Sequence, residues 1–314
     1  MHKLPYNVMA QIFKFLHPIE RIKIESVCRR WNFIGWNFCW MDVRTFSAQI
    51  VYHNTLFLRN QRVNKPIKPL LSRCGKYVKE VDLSRFQHDI SHLKYLILKS
   101  TPNTHTLNVS GLRAFSEFLL TIPVDLPKIK SIDFSGCHLK NLEEELLILF
   151  EECEELQSVN LSNNRIEGTL AFDHMPSHLT YLNIEYCDRL SGVALQILSV
   201  QCQNLKSLVI SDLNNLAGDI NSMLCKLTSL EQLVFNNYLL SEEYPSQELT
   251  AFSKLIHLSQ LELKNNELVT DEVLISIARK CKRLNRILLS NSGKYTEAGW
   301  QALDKIPKLK KQRI

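Results

Sequence analysis

A short apolar pattern recurs nine times between residue 78 and the C-terminus, and no other feature constrains the fold as strongly. The pattern reads apolar-x-x-apolar-x-apolar, and successive copies begin 26, 25, 27, 23, 26, 25, 28 and 26 residues apart. Spacing this regular indicates an array of similar units that stack on one another. Lys308 and Leu309, after Pro307, look like a tenth copy cut short. The nine copies are Val78, Val81, Leu83; Thr104, Leu107, Val109; Ile129, Ile132, Phe134; Leu156, Val159, Leu161; Leu179, Leu182, Ile184; Leu205, Leu208, Ile210; Leu230, Leu233, Phe235; Leu258, Leu261, Leu263; and Leu284, Ile287, Leu289.

Each unit contains two different periodicities. Its last apolar positions alternate with period two, which predicts a short strand with one buried face. Three residues beyond the strand, four copies place a residue that we expect inside the turn: Cys137, Asn164, Cys187 and Asn266. The stretches between strands have helical spacing in three copies, through Leu146, Leu147, Phe150; Val193, Ile197, Leu198; and Val273, Leu274, Ile277. Stacked strand–turn–helix units of this kind predict an α/β solenoid, a curved leucine-rich repeat domain with a concave parallel sheet and convex helices.

Residues 4–43 do not follow the repeat and predict three short helices. Apolar side chains fall on one side of a first helix, and Pro18 after His17 ends that helix and begins the next. A unit this small is marginally stable alone, so we expect it to bury an apolar stripe on a partner.

The order of residues in this segment resembles the F-box. The resemblance is carried by Leu4-Pro5, by Ile12-Phe13 with Leu16, by Val27-Cys28-Arg29-Arg30-Trp31, and by the terminal Trp40. Asn7 departs from the family pattern, which usually has an acidic residue there, and Lys23 is a second departure. In the repeats, Cys153, Cys202 and Cys281 each stand three residues before the leading apolar position, which is similar to the cysteine-containing repeats of F-box proteins.

This resemblance implies a non-catalytic substrate-recognition subunit of an SCF (Skp–cullin–F-box) ubiquitin ligase. Its F-box would bind a Skp-type adaptor, and through it a cullin–RING ligase, while the repeats bind a protein substrate. It implies an F-box at residues 1–45, a linking helix and repeat entry at 46–76, and repeats over 77–314. A repeat scaffold or inhibitor outside any ligase stays open as the alternative. The implied adaptor contacts, some of which could instead hold the three helices together, are Leu4, Pro5, Val8, Ile12, Phe13, Leu16, Ile22, Val27, Cys28 and Trp31.

Charge and composition narrow the partners. Residues 1–79 hold fourteen Lys/Arg against three Asp/Glu, a balance of +11, and the remainder holds twenty-four against twenty-nine, a balance of −5. The basic residues are scattered among aromatic and aliphatic ones without a nucleic-acid motif, so nucleic acid is not the expected partner. The apolar stretches are too short to span a bilayer, so no membrane partner is expected. The N-terminus has no signal-peptide core, and the nine cysteines include no CxxC pair, so we expect the protein in the cytosol or nucleus.

No catalytic, metal or cofactor site is predicted. Phosphate-loop, nucleophile-elbow and zinc-protease motifs are missing from the sequence. His174 and His178 are separated by a predicted turn, and His88 and His92 have no third ligand at helical spacing, so both pairs are interpreted as polar surface.

The predicted substrate surface lies on the concave face of the sheet, which is the outer face of the strands, turned away from the buried core. Its first four copies are polar and mildly acidic, whereas later copies offer an aromatic and several aliphatic side chains beside charges, a composition typical of protein-binding surfaces. Binding through the loops is the open alternative. The predicted substrate-binding residues are Tyr181, Glu185, Val209, Val234, Glu262, Lys264, Arg286 and Leu288.

Overall fold

The computed structural model describes residues 4–51, 64–86, 91–112, 116–139, 141–212, 220–236, 250–267, 269–290 and 294–314. These residues divide into two compact units, Met1–Leu112 with Glu117–Ile132, and Arg113–Ser116 with Asp133–Ile314. The division differs from the predicted boundary at residue 45, because the N-terminal helices and the first repeats belong to one unit.

The first unit begins with three helices, as predicted. They are α1 (Tyr6–Lys14), α2 (Pro18–Ile24) and α3 (Arg29–Phe38). Pro18 occupies the first position of α2 and the His17 side chain accepts a hydrogen bond from Ile19 N–H, which confirms the predicted break. The helices close around a small core of Met9, Ala10, Phe13, Ile34 and Cys39, with Ile24 and Trp31 packed against it.

A buried arginine that the apolar pattern does not reveal fixes the ends of these helices. The Arg21 guanidinium forms a bidentate pair with Asp42, with both N–O distances at 2.8 Å. It also donates to the carbonyls of Lys14 and Leu16 at the end of α1 and of Cys39 beyond α3. A buried charge is tolerated only when it is paired and fully hydrogen-bonded, and Arg21 satisfies both conditions.

The segment predicted as a linker instead begins with a strand of the repeat sheet. Strand β1 (Thr45–Ser47) pairs in parallel with β2 (Glu80–Asp82), with Phe46 opposite Val81. Val43, Phe46 and Ala48 thus form a further copy of the pattern, hidden because Ala fills its last position and the next copy starts 35 residues later. Two helices follow, α4 (Ala48–Val51) and α5 (Asn64–Cys74), and α5 contains Pro69.

The remaining strands of both units follow the chain order. In the first unit β2 pairs in parallel with β3 (Thr106–Asn108), while α6 (Ser91–Ser100), α7 (Ser116–Asp125) and β4 (Ser131–Asp133) complete the chain to the division. In the second unit each strand pairs in parallel with the next, in the series β5 (Ser158–Asn160), β6 (Tyr181–Asn183), β7 (Ser207–Ser211), β8 (Gln232–Asn236), β9 (Gln260–Leu263), β10 (Arg286–Leu289) and β11 (Lys310–Arg313). Its α-helices are α8 (Glu143–Glu152), α9 (Gly192–Gln201), α10 (Ile220–Lys226), α11 (Asp271–Lys280) and α12 (Glu297–Ala302). Parallel strands alternating with helices confirm the predicted solenoid.

The nine copies of the pattern build the core of the repeats. Every one of their positions is at most 2% exposed. The helical faces agree with prediction in α11 and in part of α8, where Leu146 and Phe150 are buried and Leu147 is half-buried. In α9 the prediction is wrong for Val193, which is 58% exposed, because the helix instead buries Ala194, Leu195 and Leu198.

The four predicted turn residues are all buried. Asn164 shows why an amide suits the position: its Nδ2 donates to the carbonyls of Phe134, Leu161 and Ser162, and its Oδ1 accepts from Leu139 N–H. The side chain thus links backbone groups of two successive turns, which an apolar residue at this position could not do.

The outer face divides the strands into two groups. Strands β2 to β6 each have three residues and end on Asp or Asn. In all five, the side-chain Oδ1 accepts the N–H two residues further on, at 2.8 to 3.1 Å, through Asp82, Asn108, Asp133, Asn160 and Asn183. In β7 to β10 the equivalent positions hold Val209, Val234, Glu262 and Leu288, and these strands have four or five residues. The side-chain turn therefore accompanies a short strand, and its replacement accompanies a longer one.

Strand β11, at the predicted tenth copy, carries charges where the preceding copies carry apolar residues. The partners of Ile287 and Leu289 in the register are Lys311 and Arg313. Both cations lie over the ring of Trp300, at 4.7 and 4.6 Å from its centroid. A strand edge carrying charges in place of apolar residues discourages the addition of another strand.

Candidate protein-binding surfaces

The N-terminal helices expose an unusual amount of apolar surface for so small a unit. Of the ten predicted adaptor contacts, Leu4, Pro5, Val8, Ile12 and Val27 are exposed, and Leu16, Ile22, Cys28 and Trp31 are half-buried. Phe13 is only 4% exposed, so its side chain belongs to the core of the three helices rather than to their surface.

Six large exposed side chains were not among the predicted contacts. Phe15 is the most prominent, at 91% exposed. The aromatic rings are partly clustered: Phe33 lies 5.9 Å from Tyr6 and 6.0 Å from Phe38, measured between centroids. Trp36 lies about 200° around α3 from the buried Ile34, and this is the signal for an exposed side chain that helical periodicity offered. The six are Tyr6, Phe15, Phe33, Trp36, Phe38 and Met41.

Arginines accompany this surface. The Arg30 guanidinium lies 5.0 Å from the centroid of Tyr6, and that of Arg73 lies 4.6 Å from the centroid of Trp36. Arg73 also pairs with the buried Glu25 at 2.6 Å, which fixes α5 against α2. Exposed aromatics combined with Arg are characteristic of protein-binding surfaces, so these helices are a candidate interaction site. Asn7 and Lys23, the departures from the F-box pattern, are both exposed and so alter the surface without disturbing the core.

In the second unit, a cavity of about 140 Å³ opens on the outer face of β6 to β10. Its lining includes six of the eight predicted substrate-binding residues, namely Tyr181, Val209, Val234, Glu262, Arg286 and Leu288. Glu185 and Lys264 lie outside the lining. Ser207, Gln232 and Gln260 line the cavity although they were not predicted for the site. Their positions follow from the register, since Ser207 neighbours Tyr181, Gln260 neighbours Arg286, and Gln232 lies between Ser207 and Gln260.

Leu288 departs from the sequence expectation of an exposed aliphatic side chain. It is 5% exposed, because its neighbours in the register are Glu262 on one side and Gln312 on the other. Leu288 therefore forms part of the wall of the cavity, while Val209 and Val234 are half-buried on its floor.

The charges around this cavity are unevenly paired. The Glu262 carboxylate accepts hydrogen bonds from Lys264 at 2.8 Å and Asn236 at 2.9 Å. Partial burial by itself would raise the pKa of Glu262, but these two hydrogen bonds and the nearby Arg286 outweigh it and lower the pKa. Within the part of the chain that the structure describes, the exposed Arg286 guanidinium forms no hydrogen bond or ion pair of its own.

Five buried cysteines of the repeats have a raised thiol pKa, so none of these five is an activated nucleophile. Burial raises the pKa of Cys74, Cys153, Cys187 and Cys202 to about 12. It raises the pKa of Cys281 to about 11 despite the neighbouring Lys282. A thiol that stays protonated at neutral pH is a packing group, as its place at a helix end or turn indicates.

The described residues contain no cluster of three or more His, Cys, Asp or Glu side chains arranged to hold a metal ion. His174 ends a 3-10 helix and is followed by extended backbone at Met175, as the predicted turn requires. His88 and the side chain of His92 lie outside the described residues. None of the described helices is both long enough and apolar enough to cross a membrane.

Comparisons with known proteins bear on both surfaces. Residues 1–44 match the family model described as F-box-like. A Caenorhabditis elegans protein named "Putative RNA-binding protein EEED8.10" is 22% identical over 316 residues, and the match covers 98% of this chain but only 42% of that protein.

Two solved structures match over most of this chain. The crystal structure of the yeast Rad7 and Elc1 complex matches with a TM-score of 0.52 at 18% identity, covering 74% of this chain and 68% of that one. The leucine-rich repeat-containing protein LegL7 of Legionella pneumophila matches with a TM-score of 0.49 at 21% identity, covering 85% and 89%. The match at residues 1–44 and the repeating strand–turn–helix units together show an F-box-like segment followed by a leucine-rich repeat fold.

Proposed function

We propose that this chain is the substrate-recognition subunit of an SCF ubiquitin ligase. Its N-terminal helices bind a Skp-type adaptor and through it a cullin–RING ligase, and its repeats bind a protein substrate. The chain itself has no catalytic role in this proposal, since ubiquitin transfer is performed by its partners. The observation that carries the proposal is the exposed apolar surface on the F-box-like helices.

The adaptor surface combines exposed members of the predicted set with the aromatics of α3. Ile12 and Phe15 lie on α1 and at its end, and Phe33 and Trp36 lie on the outer side of α3. Leaving such groups in water is unfavourable by about 25 cal/mol for each Å² of apolar surface, so covering them drives association. The yeast structure of Rad7 with Elc1 is a complex between two proteins, one of which shares this fold, and supports an adaptor as the partner.

Binding to a Skp adaptor tests this proposal directly. The full chain is co-expressed with the adaptor and purified through it, in native form and as Ile12→Glu. The matched control is Ile148→Glu, because Ile148 on α8 is 40% exposed and Ile12 is 46% exposed. We expect Ile12→Glu to abolish co-purification and the control to retain it. No binding by the native chain, or equal binding by both variants, contradicts the proposal.

Ubiquitination separates a ligase subunit from a repeat scaffold or inhibitor. An adaptor-bound chain that joins a cullin–RING ligase is expected to support ubiquitin transfer to a captured substrate, and a scaffold or inhibitor to fail at this step. We place the protein in the cytosol or nucleus on the same proposal, since the adaptor and the cullin have to be accessible to it.

RNA binding is a second candidate function, favoured by the name of the Caenorhabditis elegans relative. This chain spans 42% of that relative's length. The basic balance of residues 1–79 favours RNA, whereas Glu80, Asp82 and Asp133 on the outer strand face oppose phosphates. Filter binding of labelled single-stranded RNA across a salt series distinguishes the two: we expect no retention above 0.15 M salt, and retention with a steep salt dependence would support RNA binding.

A further inference from the structure

We infer that the cavity on β6 to β10 recognises an extended peptide carrying one apolar side chain and, three or four residues away, a carboxylate that pairs with Arg286. This inference rests on the proposed function, because it assigns a substrate class to the repeat surface.

The size of the cavity limits the apolar part to one side chain. Cavities of ~150 Å³ are known to hold one benzene-sized group, and small-molecule sites are usually at least ~300 Å³. At about 140 Å³, this cavity has the capacity for a single Leu, Met or Phe side chain. The apolar lining for it is supplied by Val209, Val234 and the buried Leu288.

The register of the strands places the polar groups in a row beside these aliphatic side chains. Along the row the strands present Tyr181, Ser207, Gln232, Gln260, Arg286 and Lys310 as direct neighbours. Gln232 and Gln260 are exposed, and a side-chain amide offers both a donor and an acceptor to a passing peptide backbone. The row therefore runs from uncharged hydrogen-bonding groups to two adjacent cations.

Charge pairing selects a carboxylate as the group at the cationic end. Glu262 is already satisfied by Lys264 and Asn236, so it neither needs a cation from the ligand nor neutralises Arg286 by direct contact. The planar guanidinium of Arg286 is free to bind a carboxylate through two parallel hydrogen bonds. Lys310 adds a second positive charge on the neighbouring strand.

Strand spacing sets the distance between the two recognition elements. Adjacent strands lie ~4.8 Å apart, so the floor at β7 and β8 is roughly 12 Å from the guanidinium on β10. An extended chain advances ~3.4 Å for each residue, which corresponds to three or four residues. A peptide lying across the strands thus reaches both elements at once.

Selection from displayed peptide libraries tests this inference on the full chain bound to its adaptor, or on the chain alone if it binds none. Two libraries of random octapeptides are used, one ending in a free C-terminus and one flanked on both sides. The expected consensus is a large apolar residue and, three or four positions away, Asp, Glu or the terminal carboxylate. The library in which the consensus appears distinguishes a side-chain carboxylate from a chain terminus.

The enriched peptide is then synthesised with a fluorescent label, and its Kd is measured by anisotropy. Arg286→Gln is expected to weaken binding by roughly tenfold or more, because it removes a charge-assisted pair. The matched control is Arg283→Gln, an exposed arginine of the same repeat whose guanidinium contacts His257 and which does not line the cavity. The absence of any enriched peptide, a consensus without a carboxylate, or equal binding by Arg286→Gln and the native chain overturns the inference.

Adaptor binding is measured on the same variants, which keeps the two proposals separable. Arg286→Gln is expected to retain the adaptor, and Ile12→Glu to lose the adaptor while retaining the peptide. If the adaptor does not bind, the peptide measurement still tests the role of Arg286. If no peptide binds, the adaptor measurement still tests the proposed function.

Discussion

Strands β2 to β6 and strands β7 to β10 share the same buried pattern but differ on their outer face. The first group ends in Asp or Asn, whose side chains accept a backbone N–H two residues on. The second group replaces these residues with Val209, Val234, Glu262 and Leu288, and its strands are longer. The same buried core therefore supports two kinds of outer face. In the first group the Asp and Asn side chains are hydrogen-bonded to the protein's own backbone, and in the second group the outer face is available to a ligand.

The physical reason lies in where hydrogen-bonding capacity is used. An Asp or Asn side chain that caps its own backbone has less capacity for a partner, and its short reach leaves no apolar surface. A Val or Leu at the same position adds apolar surface to the outer face, and the polar side chains beside it remain available to bind a ligand. The cavity is lined by strands β7 to β10, and β6 contributes Tyr181 to it.

The largest expected effect concerns the buried turn residue that follows strands of both groups, such as Asn164 after β5 and Asn266 after β9. Asn164→Ala removes four hydrogen bonds to buried backbone groups, and we expect it to lower the free energy of unfolding by about 3 kcal/mol. Urea denaturation followed by circular dichroism measures the change. If Asn164→Ala lowered the free energy of unfolding no more than Asn160→Ala does, the buried turn would not be the larger contributor to stability.

Converting one group into the other is the next test. Val234→Asn gives β8 the residue type of the first group and places a polar amide in the floor of the cavity. We expect the affinity for the selected peptide to fall about tenfold, equivalent to ~1.4 kcal/mol, through loss of apolar contact. Val193→Asn is the control, because Val193 is exposed on α9, far along the chain from the cavity floor. An unchanged Kd for Val234→Asn would show that the peptide does not contact the floor of the cavity.

A smaller effect is expected when the outer turn is removed. Asn160→Ala deletes the acceptor for Ser162 N–H and is expected to cost about 1 kcal/mol of unfolding free energy. Ser158→Ala on the same strand face is the matched control and is expected to be nearly neutral. Equal losses for the two variants would contradict a stabilising role for the side-chain turn.

The smallest effect is the pH dependence of Glu262. Because its pKa is lowered in the folded state, Glu262 contributes stability above the ordinary glutamate value of 4.5, and that contribution is lost as the pH falls below it. Glu262→Gln is therefore expected to be less stable than the native chain at pH 7, by under ~1 kcal/mol since the group is partly exposed, and to match it near pH 3. Glu154→Gln, at an exposed position, is the control. A gap that persists at pH 3 would exclude ionisation as its origin.

The adaptor surface was predicted in part. The F-box resemblance placed Val8, Ile12 and Phe13 in one set of implied adaptor contacts; Val8 and Ile12 are exposed, but Phe13 is buried. Helical spacing indicates that apolar residues share a side of a helix and does not indicate which side the neighbouring helices cover. Phe15 and Trp36 were missed for the same reason, since their exposure depends on how α1 to α3 pack.

The sequence by itself determined the repeat architecture, because the interval between copies and the period of two within each copy are local properties that fix which residues enter the core. It also determined the buried turn residues, because each stands three residues beyond its strand. The tertiary structure alone decided what depends on neighbours distant along the chain: the pairing of Arg21 with Asp42, the strand at Thr45–Ser47, and the burial of Leu288 between Glu262 and Gln312. These features arise from contacts between elements, and a pattern read along one element does not contain them.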